Sequence, residues 1–232
     1  MESVDLTKNN VVGNFAYPEG FPEYRDVVKF LQNCFLTTAF TKTPSVIYPD
    51  YLREFWCTSV VENPDGPKEA KIKFSVKNGT KFLTLDSKTF VKATGLDYTK
   101  TFTAQPSEKD VKEVLLELGP YDKVHPEVTP RALLSKAPII KTWFPAPWRI
   151  LMTFVIQVLW GNKSSTEKLN TTQAMIVFSL IEGRMIDLGE LIFKDLIAKL
   201  GGNLCKNSCH TLDSFPVPYK TCLGLSMLSL MQ

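Results

Sequence analysis

Residues 141–200 are apolar and aromatic at helical spacing and carry few side chains that could do chemistry. Helices that are apolar on most faces must be buried, so this stretch reads as two or three helices of packing core rather than as an active site. Trp143, Phe144, Trp148, Phe154 and Trp160 supply its ring area and are expected to be mostly core. Pro147 suits the first turn of a helix, so the pattern predicts a central helix over 148–160 with Gly161 beyond its end. Asn170 or Thr171 starts the next helix, which runs to Ile181. Asp187 with Glu190 resembles a capping box for a last helix. Its stripe is Leu188, Leu191, Ile192, Leu196 and Leu200, and Gly201-Gly202 is its stop.

Upstream, Pro22 opens a helix whose Tyr24, Val27, Val28, Leu31, Cys34 and Phe35 share one face. Pro49-Asp50 opens a second, with Tyr51, Leu52, Phe55 and Trp56 on its apolar side and its end near Ser59. Residues 62–69, acidic and containing Pro and Gly, read as a surface loop. Ile72, Phe74 and Val76 then alternate with polar residues, Asn78-Gly79 follows, and Phe82, Leu83 and Leu85 come after it. Asn-Gly fits a type I′ turn because both central residues need positive φ. A hairpin over about residues 71–85 is predicted, with Phe74 facing Leu83, Ile72 facing Leu85, and one apolar side resting on helices. Asp86 caps the following helix and Gly95 ends it, letting Leu96 fold back onto Val91. Ser107 and Asp110 open another helix, with Val111, Val114, Leu115 and Leu118 on one face and Gly119-Pro120 as its stop. Thr129-Pro130 opens a further short one.

The fold class these elements imply is mainly α: a single helical domain, residues 21–202, with one small antiparallel β-hairpin. Residues 1–20 are expected to be a disordered N-terminal segment, and 203–232 an irregular C-terminal one. At 232 residues, 44% apolar and 22% charged, the chain can bury a substantial core. Its 27 basic and 24 acidic residues give a net charge of +3, too balanced to imply a nucleic-acid or membrane partner by bulk electrostatics; such a contact needs a local patch. Residues 1–20 lack the basic start, apolar run and cleavage site of a secretory signal, so an intracellular protein, cytoplasmic or nuclear, is expected. The longest apolar run, within 150–160, is interrupted by Thr153 and Gln157 and is about half the ~20 residues a bilayer span requires. No membrane partner is expected. The five cysteines, Cys34, Cys57, Cys205, Cys209 and Cys222, are an odd number, and no disulfide framework is expected of them.

Chemistry-bearing motifs are sparse. Neither of the two histidines, His125 and His210, lies in a zincin-type helix motif, and His125 precedes a proline in a loop. Cys205, Cys209, His210 and Cys222 are zinc-ligand types, but the adjacency of Cys209 and His210 opposes convergence on one tetrahedral ion. Residues 161–165, Gly-Asn-Lys-Ser-Ser, lack the first glycine of a phosphate-binding loop and follow a helix where that motif needs a strand. The glycosylation-type triplets at Asn78, Asn162 and Asn170 read as turn and cap residues. Arg25, Arg53, Lys141 and Arg149 near Trp56, Trp143, Trp148 and Trp160 could form a nucleic-acid surface, though core packing explains those rings better. Asp86, Asp187 and Glu190 are the carboxylates an unrecognised enzyme site would have to gather; helix capping is the preferred reading of all three. No catalytic, cofactor-binding or metal residue is assigned, and no cofactor or small-molecule substrate is inferred.

Several of these packing segments together resemble a known group. Phe30-Leu31-Gln32 through Phe55-Trp56, the hairpin and helix ending in Thr94-Gly95-Leu96, Lys141-Thr142-Trp143-Phe144 through Trp148-Arg149-Ile150-Leu151, and Leu169-Asn170 through Ile186-Asp187 are similar to plant proteins encoded in or beside long-terminal-repeat retrotransposons. The resemblance covers about residues 21–200. The hairpin, helix and Gly-Leu unit is also similar to the plant mobile domain of transposon-derived proteins. It implies a non-enzymatic protein with a Gag-like structural or assembly role, self-association, and a nucleic-acid-binding module as the alternative. The chain has no Asp-Thr-Gly or Asp-Ser-Gly triplet and no Asp-Asp pair, the marks of the enzymes such elements encode. Pro218-Tyr219-Lys220-Thr221 stands where the family has a Tyr-Pro-Arg-Phe-like segment, so a truncated gene model or element fragment is expected.

Overall fold

A computed structural model describes residues 15, 22–42, 48–63, 66, 69–119, 139–159 and 167–201. In chain order its helices are α1 (Pro22–Asn33), α2 (Thr37–Thr41), α3 (Pro49–Thr58), α4 (Ser87–Thr94), α5 (Glu108–Leu116), α6 (Ala146–Phe154), α7 (Thr171–Glu182) and α8 (Leu188–Gly201). Its strands are β1 (Val60–Glu62), β2 (Lys71–Val76), β3 (Lys81–Asp86), β4 (Ile139–Ile140) and β5 (Lys168–Leu169). The described residues are thus mainly helical. The expectations for Trp160, His125, His210, Cys205, Cys209, Cys222, Thr129-Pro130, residues 161–165, 218–221 and the two terminal segments lie outside them.

Contacts gather the chain into two compact units. Among the described residues the first holds 42–98 and 188–201, and the second holds 15, 22–41 and 99–187.

The first unit is built around an antiparallel sheet in the order β1-β2-β3. The expected hairpin forms in the expected register, with Phe74 opposite Leu83 and Ile72 opposite Leu85. Asn78 and Gly79 take φ of 56° and 79°, as a type I′ turn demands, and Lys77 at 57° joins them. Ile72, Phe74, Val76 and Leu85 are buried. Phe55 of α3 meets Phe74 edge to face at 4.8 Å, so α3 covers this side of the sheet. A hairpin alone does not describe the sheet. Residues 60–62, which lie between the helix expected to end near Ser59 and the start of the loop expected over 62–69, form β1 and pair Val61 with Ile72 and Glu62 with Lys71. Thr58 extends that ladder with its side chain, its Oγ1 accepting from the Ser75 N–H at 2.9 Å and donating to the Ser75 carbonyl at 3.2 Å.

α4 has both of its expected ends. Asp86 accepts the Thr89 N–H at 2.8 Å, and Gly95, at φ 76°, takes the left-handed position while the Leu96 N–H reaches the Val91 carbonyl. α8 returns from far along the chain to pack on α4 and β1, placing Phe193 5.4 Å from Phe90. Both rings are fully buried. Leu188, Ile192 and Leu196 of the expected stripe are buried with them, and Leu191 and Leu200 are half-buried.

In the second unit α1 packs on α6, and α5 and α6 pack on α7. α5 opens with the Ser107–Asp110 capping box and α7 with its Asn170–Gln173 counterpart. Both helices therefore satisfy their first N–H groups locally. α7 buries Gln173, Ala174, Ile176, Val177, Phe178, Ser179 and Leu180, nearly all round, as its composition requires. The long central helix expected over 148–160 is instead α6 followed by a π-helical turn, Val155–Leu159. Val155, Ile156 and Val158 are β-branched there, a run that crowds a regular α-helix. Phe154, at the junction, stacks on Phe15 at 6.0 Å and meets Phe40 edge to face at 6.2 Å. β4 and β5 form a two-residue ribbon pairing Ile139 with Leu169.

Candidate functional site

The three carboxylates that an enzyme site would have had to gather stand at helix starts. Asp86 is the cap of α4. Burial pushes its carboxyl up, but the hydrogen bonds from Thr89 and the charges of Lys88 and Lys71 outweigh that, and it titrates below the ordinary value. Asp187 immediately precedes α8, and Glu190 lies in that helix's first turn, where a negative charge complements the helix dipole. Among the described residues no three His, Cys, Asp or Glu side chains gather as metal ligands would.

The cation and tryptophan set is likewise divided. Arg53 and Trp56 belong to the first unit, whereas Arg25, Lys141, Trp143, Trp148 and Arg149 belong to the second. Trp56 and Trp143 are buried, at 3% and 7% exposure, and have no face open to a base. Arg53 pairs with Asp50 at 2.9 Å. Lys141 donates to Thr153 Oγ1 at 2.8 Å. Desolvation, with help from nearby Arg149 and against the pull of Glu167, lowers its pKa. Of the described members, Trp148 departs from the core expectation by being half-buried.

Trp148 is half-buried because it lines a groove. In the second unit α1, α6 and α7 leave a cavity of about 260 Å³ bounded by Asp26, Val27, Phe30, Pro147, Trp148 and Leu151, with Leu180 and Ile181 on its third side. Phe30 stands on the solvent side of α1 at 41% exposure. Two aromatic rings at an open apolar groove can take up an apolar side chain of another molecule. Asp26 supplies a single carboxylate at its edge. The periodicity of α1 gave Val27 and Val28 but counted Phe30 as neither core nor site, although a large ring off the apolar stripe is itself a signal of exposed apolar surface.

A second surface lies in the first unit, on the side of the sheet away from α3. Phe82 is 80% exposed there, more than any other large apolar side chain among the described residues. Lys71 and Lys73 of β2 share its side of the sheet by register. Residues 71–92 carry six lysines and one aspartate, a local excess of five positive charges in a chain whose net charge is +3. The excess is legible in the sequence, but the overall balance of charge conceals it.

Comparison with protein-family models, curated proteins and solved structures returned no match. No helix among the described residues is long and apolar enough to cross a membrane.

Proposed function

We propose that this chain is a non-enzymatic, intracellular protein derived from a plant transposable element, with a Gag-like structural or assembly role. The resemblance of its packing segments to the retrotransposon-associated plant proteins motivates the origin. The observation that carries the assembly role is the open groove between α1, α6 and α7, with Phe30 and Trp148 at its mouth. The occupant we assign to it is a second copy of the chain. Rings presented at an apolar groove are the anchors on which protein interfaces concentrate their binding energy, and the two open apolar positions here lie on separate helices of one unit.

Sedimentation velocity on the whole chain over a range of concentrations tests this. The wild type is expected to form larger species as concentration rises. Phe30→Asp, at a position open to solvent in the monomer, is expected to stay monomeric with an unchanged far-ultraviolet spectrum. A wild type that remains monomeric at high concentration would overturn the assembly role.

A further inference from the structure

We infer that the outward side of the β1-β2-β3 sheet binds single-stranded nucleic acid, with Phe82 as the ring on which a base stacks and Lys71, Lys73 and Lys77 as the phosphate contacts. The inference does not depend on the assembly role, because it concerns the other unit.

The register places these groups. Phe82 is opposite Ser75, and Lys73 is opposite Thr84, so Lys73 lies diagonally across from the Phe82 ring on the same side of the sheet. Lys71 is two residues before Lys73 and shares its side. At a rise of ~3.4 Å per residue the two lysines are about 7 Å apart along β2, a spacing that successive phosphates of an extended strand can follow. Lys77 continues the line into the turn and is exposed, as is Lys71. Ser75, the small residue between Lys73 and Lys77, keeps the surface low under the ring. Ser75 is 5% exposed and Phe82 80%.

The acidic groups near this face are few, and Asp86 stands opposite Lys71 in the register, where the Lys71 charge reaches it. Glu62 meets Lys73 at 2.7 Å, with the side chains 43% and 55% exposed, so a phosphate in solvent can compete for that lysine. Asp86 is held by the Thr89 N–H, and Glu54 Oε2 accepts from the Gly79 N–H at 3.4 Å. The ring argues for nucleic acid over other anions. An exposed aromatic among cations on a sheet is a stacking platform, and every base has a face to stack. An acidic peptide would use the lysines and leave Phe82 in water.

Fluorescence anisotropy of the whole chain with a short labelled oligouridine provides the test. The chain is kept at a concentration where sedimentation shows a single species, so that assembly and binding are read separately. The logarithm of the affinity is expected to fall linearly with the logarithm of salt concentration, with a slope of about −2 for three phosphate contacts on a single strand. Phe82→Ala is expected to weaken binding about tenfold with the slope kept. The triple change Lys71→Ala, Lys73→Ala, Lys77→Ala is expected to flatten the slope. Both variants alter exposed side chains, and an unchanged thermal melt verifies their folding. No binding by the wild type, or binding that Phe82→Ala leaves unaltered, would overturn the inference. Equal competition by inorganic polyphosphate or a polyglutamate peptide would also overturn it, leaving a general anion surface.

Discussion

Asp86 shows how a single residue can look functional and be structural. It ends β3, begins α4 and accepts the Thr89 N–H. Its carboxyl titrates below the ordinary value of 3.8, despite burial, because the Thr89 hydrogen bonds and the Lys88 and Lys71 charges favour the ionised form. A depressed folded-state pKa contributes stability that is present above the unfolded value and is lost as pH falls through the folded one. Asp86→Ala is therefore expected to cost about 1 kcal/mol at neutral pH. The difference from wild type should shrink in acid, below pH 3.8, as both chains come to lack the charge. Urea titrations at neutral and acid pH would show this; a difference constant with pH would mean that the cap acts through shape alone.

At the scale of elements, most of what could be read from the sequence was punctuation. Asn78-Gly79 fixed the turn, and the turn fixed the pairing of Phe74 with Leu83. Gly95 ended α4, Ser107 with Asp110 opened α5, and Asn170, one of the two starts the sequence offered, opened α7. These signals are local, so a single sequence carries them. What was not legible depends on partners distant in the chain. β1 is three residues long, too short to show an alternation, and exists because β2 offers it an edge. α2 has five residues, and the π-helical turn after α6 follows a segment whose apolar pattern suits a regular helix equally well. Gly79 allows the punctuation to be tested. It sits at φ 79° with nothing within 4 Å of where a Cβ would go, so alanine there meets strain and no clash. Gly79→Ala should cost about 1 kcal/mol, seen as a lower denaturant midpoint with an unchanged slope. A much larger loss would show that the turn does more than reverse the chain.

The two units have cores of their own and were not separable in the sequence, where residues 21–202 read as one run of helices. Periodicity locates buried faces but does not say which faces meet. The candidate surfaces were hidden for related reasons. Phe30 and Trp148 are ordinary apolar residues until their neighbours leave them open, and the lysines of 71–92 vanish into a balanced total. The first unit is the more exposed to damage from a distance, since α8 closes it from the far side of the other unit's sequence. Phe193→Ala removes a fully buried ring that meets Phe90 and should cost about 3–5 kcal/mol. Amide exchange should show the loss as weaker protection in β2 and α4. Protection lost equally in α5 and α7 would mean that the two units unfold as one.

That arrangement gives the protein a history each time it is made. A ribosome delivers α3, the sheet and α4, then must add the 89 residues of 99–187 before α8 emerges. At ~5–20 residues per second the wait is roughly 5–20 seconds. Throughout it the Phe90 side of α4 has no Phe193 to meet, a nascent apolar face that a chaperone can hold and a neighbouring chain on the same message can capture.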